Sequence, residues 1–158
     1  MAGSMTTSGT EELSRQLSTL GSQAGHIAAR GLYEGAGVVA DAYKAAVSQI
    51  QTAPRRHREG DTRLPTPEEK AALMGATGIA KFRGSGSEID TIVGEPEGYG
   101  TVNGRRKALK LLARSINSGT NFMTRQPVFR KASSQSRGKA QQAMEAEVDR
   151  LINEIMNS

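Results

Sequence analysis

The chain has 158 residues, 36% hydrophobic and 4% aromatic, with 18 Gly and no Trp, so one domain with a thin core of Ala, Val, Leu, Ile and Met is expected. There is no Cys, which excludes disulfides, thiolate chemistry and Cys-based zinc sites and fits a protein made in a reducing cytoplasm. A net charge of +5 and a pI of about 9.8 permit contact with nucleic acid or an acidic protein surface without requiring either.

No run of about 18 apolar residues occurs, so no membrane-spanning helix and no membrane partner are expected. Residues 1–9 are small and polar and are expected to form a flexible N-terminus; a single domain over 10–158 follows. From Thr10, carboxylates at Glu11 and Glu12 occupy the first turn of a predicted helix. Leu13, Leu17, Leu20, Ala24, Ile27, Leu32, Val39, Ala42, Ala46 and Ile50 continue the helical spacing to about Gln51, with a possible break at Gly21-Ser22. The middle of this helix is unusually small, with Ala24, Ala28, Gly31, Gly35, Ala36 and Gly37. Each interior Gly costs about 0.5–1 kcal/mol relative to Ala, so close approach of another backbone is expected to offset it. That face packs either on the domain's own sheet or on a helix of another subunit.

Pro54 ends the helix, and residues 52–65 form a basic loop whose Arg55, Arg56, His57 and Arg58 are the densest positive cluster. The cluster is either a solvated loop or a contact for phosphates or an acidic partner. Thr66-Pro67-Glu68-Glu69 is a capping box with Pro in the first helical position, opening a short helix that stops at Gly75. Two strand-like runs, 77–83 and 88–93, flank a hairpin-like turn at Gly84-Ser85-Gly86-Ser87. A Gly-rich loop follows, with a further short strand around Tyr99–Val102 and either a turn or a helix boundary at Asn103-Gly104. Arg105 to Asn117 reads as a basic amphipathic helix, with Ala108, Leu111, Leu112 and Ile116 inward and Arg105, Arg106, Lys107, Lys110 and Arg114 outward. Gly119 stands where a left-handed helix stop belongs, and Pro127 opens a last helix to about Asn157. Within it the Ser- and Gly-rich stretch 133–138 is weak helix.

The spacing supports no catalytic, cofactor-binding or metal site. His26 lies on a small-residue helix and His57 beside arginines, and no metal-ligand pattern or serine triad is legible. The glycines at 98, 100 and 104 fit neither a dinucleotide fingerprint nor a P-loop.

Three segments carry a resemblance: Asn103-Gly104-Arg105-Arg106-Lys107-Ala108, then Ser118-Gly119-Thr120, then Gln126-Pro127-Val128-Phe129-Arg130-Lys131-Ala132. Together they resemble the minor tail-component family of long-tailed bacteriophages, the neck or tail-completion proteins. The order of elements is similar too: a long N-terminal helix, short strands, a short basic helix and a long C-terminal helix. The chain departs from the family pattern at Val128, where an aromatic usually follows Pro, and at Lys131, where a second Pro is common.

The resemblance implies an α+β subunit of a homo-oligomeric ring, expected to be a hexamer, in the virion neck. The ring would join head connector or stopper proteins to the tail terminator or tail tube, around the channel through which DNA leaves. A ring of about six copies would carry a charge near +30, so acidic neighbours or channel DNA are expected partners. The candidate assembly interface comprises Gly119, Thr120, Asn121, Phe122, Pro127, Phe129 and Arg130, with the loop Thr120 to Gln126 presented between two fixed helix ends. The candidate basic contact face comprises Arg55, Arg56, Arg58, Arg105, Arg106, Lys110 and Arg114. The alternative is a nucleic-acid-binding accessory protein that uses this basic face on phosphates.

Overall fold

A computed structural model describes residues 8–54, 62–85, 88–95 and 97–158. It is an α+β fold with four helices, α1 (Ser8–Ser48), α2 (Pro67–Ala76), α3 (Leu109–Ser118) and α4 (Val128–Met156). Six short strands pair in antiparallel twos: β1 (Gly78–Ile79) with β4 (Val93–Gly94), β2 (Arg83–Ser85) with β3 (Glu88–Asp90), and β5 (Tyr99–Val102) with β6 (Arg105–Ala108). One small antiparallel sheet was the expectation; three separate ladders are found instead.

α1 has 41 residues, about 60 Å at 1.5 Å per residue, and runs through Gly21-Ser22 without the break expected there. Ser8 and Gly9, assigned above to a flexible segment, are its first residues. The small face, through Gly31 and Gly35, meets a helix of the same chain. It packs antiparallel along α4 of the same chain. A β-carbon on Gly31 would lie 2.7 Å from Val148 Cγ2 and 3.3 Å from the Met144 carbonyl oxygen, and one on Gly35 would run into the Met144 side chain. Glycine is thus what lets two helices carrying Met144 and Val148 approach this closely. The bond from Gln16 Nε2 to the Met156 carbonyl, 3.1 Å, fixes the far end, so the first turns of α1 extend past the end of α4. Arg30 bridges to Glu147 at 3.1 Å on the flank. The weak helix expected over 133–138 is continuous α4, held because Ala132, Ser136 and Ala140 are buried against α1.

The other end is the body. Val47 of α1 and Ile50 two residues beyond its end meet Leu73 of α2, Leu109, Leu112, Ala113 and Ile116 of α3, Met123, and Phe129 of α4. Phe129 stacks on Tyr43 with ring centroids 5.5 Å apart, which welds the start of α4 to α1. The pairs β1–β4 and β2–β3 are nested halves of one interrupted hairpin, linked by the Ala80 amide to the Ile92 carbonyl at 2.8 Å. Its inward residues Ile89, Thr91 and Val93 alternate with exposed Glu88, Asp90 and Ile92, as the strand period requires.

The helix expected over Arg105–Asn117 is shorter. Asn103 (φ 50°) and Gly104 (φ 75°) form a tight two-residue turn, and Val102 pairs with Arg105 through to Tyr99 with Ala108. Turn geometry therefore claims Arg105–Ala108 for β6, and α3 begins only at Leu109. This resets the inward face. Leu109, Leu112, Ala113 and Ile116 are buried at i, i+3, i+4 and i+7, whereas Leu111, expected inside, is 63% exposed.

Candidate assembly interface

α3 ends at Gly119, as expected, but not in the left-handed helical conformation. Its φ of 76° and ψ of 157° lie in a region essentially reserved for Gly. A β-carbon there would also come within 2.9 Å of Arg125 Cβ. The Gly119 amide donates to the Ser115 carbonyl at 2.8 Å, closing the helix, and the chain then turns sharply outward.

The loop from Thr120 to Gln126 is pinned at many points. Thr120 and Met123 exchange backbone hydrogen bonds of 3.0 and 3.3 Å, and the Phe122 amide donates to Thr120 Oγ1 at 3.2 Å. The Arg63 amide donates to the Phe122 carbonyl at 3.0 Å, and the Thr124 amide donates to the Arg63 carbonyl at 2.9 Å. Gln126 donates its amide to Ile116 (2.7 Å), and its side chain is tied at both ends to the backbone of Gln51. Arg130 at the start of α4 donates its amide to Asn117 Oδ1 at 3.2 Å. Met123 is buried as the loop's anchor while its neighbour Phe122 is 70% exposed. Phe122 is the most exposed of the large hydrophobic side chains among the described residues. Such a residue suits a contact, because the ordering cost is already met in the free chain.

Beneath the loop lies a charge cluster that was not legible in advance. The buried Glu69 carboxylate accepts from Arg63 Nη1 (2.8 Å) and Nη2 (3.0 Å), from Lys107 Nζ, and from the Thr66 amide (2.9 Å). Thr66 Oγ1 accepts in turn from the Glu69 amide at 3.2 Å, so the expected capping box is present. Burial alone would push the Glu69 pKa up; the bonds from Arg63, Lys107 and Thr66 outweigh it and hold it at about 2. This carboxylate ties α2, β6 and the strand-like Arg63 segment beside the loop. Arg63 and Lys107 lie 6 and 38 residues from Glu69, and only the capping box was visible beforehand.

Of the expected interface residues, Thr120, Asn121, Phe122, Pro127 and Arg130 are exposed and Gly119 is half-buried. Phe129 is 7% exposed, so it anchors α4 in the core and is not available to a partner. Of the basic face, Arg55, Arg56, Arg58 and His57 lie outside the described residues. Arg105, Arg106, Lys110 and Arg114 are all exposed, the first two on β6 and not on a helix. Arg106 sits over the Tyr99 ring, 4.4 Å from its centroid. The overlooked member is Leu111. The spacing of Leu109, Leu112, Ala113 and Ile116 was the signal that leaves it facing outward.

Among the described residues no group of His, Asp and Glu is placed to hold a metal ion, and no helix is long and apolar enough to cross a membrane. No protein-family model, curated protein or solved structure matches the chain.

Proposed function

We propose that the chain is a structural subunit of a bacteriophage neck, one copy of a ring that joins the head connector to the tail tube around the DNA exit channel. The observation that supports this reading best is the pinned loop with exposed Phe122 between two helix ends that are fixed by the core. It is a contact element whose backbone is already held by bonds to Arg63, Ile116 and Gln51. The two-helix arm adds a long lever, tied to that body by Tyr43 and Phe129. The sequence resemblance supplies the neck; the geometry supplies a surface that such a subunit needs.

The test is genetic. Deleting the reading frame from the encoding phage should yield filled heads and tails that fail to join, and supplying the chain in trans should restore joined particles. Normal infectious particles in its absence would refute the proposal.

A second reading, a nucleic-acid-binding accessory protein, draws on Arg105, Arg106, Lys110 and Arg114, which are exposed and form no ion pair within 4.0 Å among the described residues. Binding of the isolated chain to duplex DNA that falls steeply with salt would favour it, since phosphate contacts release counterions.

A further inference from the structure

A cleft of about 310 Å³ is lined by exposed Leu111 and Phe122, by buried Leu112 and Met123, and by Arg63 and Lys107. Leu111 and Phe122 are far more exposed than side chains of their size need be, at 63% and 70%. The two cations share a single carboxylate, the buried Glu69, which leaves one positive charge in excess. Arg114 adds another; it lies three residues beyond Leu111 on the same side of α3 and is exposed. The backbone of the loop is already fixed by its bonds to Arg63, Ile116 and Gln51.

From this we infer a docking site for an acidic protein segment that inserts one or two large apolar side chains between Leu111 and Phe122 and sets its carboxylates against Arg63, Lys107 and Arg114. The inference goes beyond the neck reading and stands independently of it, because it rests on the cleft alone. Charge complementarity selects the flanks of the partner and the apolar lining selects its centre. Nucleic acid fits less well. A row of phosphates over Leu112 and Met123 would lose water without gaining donors. An apolar anchor seated in a preformed pocket with charged residues around it is the usual pattern of a contact that carries most of the binding energy.

The test uses the full chain and a fluorescein-labelled peptide of alternating Asp and Glu around a central Leu-Phe pair, read by fluorescence anisotropy. Saturable binding with a Kd below about 1 mM is expected. It should weaken by about tenfold or more in Leu111→Ser, Phe122→Ser and Arg114→Glu. All three side chains are exposed, so thermal melts of these variants should match the parent. A peptide with Gly-Gly at the centre and a duplex DNA of equal charge should bind at least about tenfold more weakly. In the labelled protein, amide shifts on titration should centre on residues 111 and 122. Absence of saturable binding, equal binding of the Gly-Gly peptide or the duplex, or indifference to all three substitutions would overturn the inference. So would self-association of the chain that disappears in Phe122→Ser, since it would give the cleft to a second copy.

Discussion

Gly31 of α1 rests directly against Val148 of α4, close enough that a β-carbon on the glycine would sit 2.7 Å from Val148 Cγ2. The arm is thus built on glycine at the contact line and not merely tolerant of it. The same helix offers an internal control, since a β-carbon on Gly37 would have nothing within 4 Å. Gly31→Ala and Gly35→Ala should destabilise the chain by about 1–3 kcal/mol through overpacking. Gly37→Ala should instead stabilise it by about 0.5–1 kcal/mol, because Ala restricts the unfolded chain and favours helix. Urea melts of the three variants check this, and equal effects at Gly31 and Gly37 would contradict the packing described.

Glu69 gives the fold a pH signature. Its carboxyl is held at about 2 in the folded chain against an ordinary value of 4.5. A depressed pKa stabilises the fold above the ordinary value, and that contribution is lost as pH falls from about 5 toward 2. Stability should therefore drop by about 3 kcal/mol across that window from this group. Glu69→Gln should lose a similar amount at pH 7, leaving Arg63 and Lys107 facing each other without their carboxylate, and should flatten the acid dependence. Denaturant melts at pH 7, 4 and 2.5 on both chains measure it.

At Gly119 the expectation is a backbone effect with a local readout. Any side chain there must adopt φ near 76° with extended ψ and must displace Arg125. Gly119→Ala should cost about 1–3 kcal/mol, with Gly119→Val at the upper end. Hydrogen exchange should quicken first at the Met123 and Gln126 amides, whose bonds fix the loop, before protection is lost in α1. Uniform loss of protection would mean that the loop is not a separate element.

The parts of this fold that were legible beforehand are those written in local chemistry. The Thr66–Glu69 capping box, the local pairing of Arg83–Ser85 with Glu88–Asp90, the Pro127 helix start and the sustained periodicity of α1 all depend on neighbours a few residues apart; of the turn expected at 84–87, Gly84 and Ser85 belong to β2 and 86–87 lie outside the described residues. What was missed depends on distant partners. Arg105–Ala108 is basic and helix-compatible, yet the Asn103-Gly104 turn directs it to pair with Tyr99–Val102; within α3 the buried stripe runs through Leu109, Leu112, Ala113 and Ile116, which leaves Leu111 on the opposite side. The small face of α1 implies a close contact, but nothing in its own residues names α4 as the partner. Glu69 was seen as a cap; its bonds to Arg63 and Lys107 exist only once three elements converge. The resemblance places Phe129 at the interface as the aromatic one position beyond its usual place after Pro127, whereas its stacking on Tyr43 takes it into the core.

The neck proposal is tested most directly by a cryo-EM map of the head–tail junction of phage particles into which this chain is incorporated. A ring is expected at that junction into which the α1–α4 arm and its body fit, with Phe122 buried against a different protein of the junction. A junction explained entirely by other proteins, or a ring in which Phe122 faces open solvent, would contradict it.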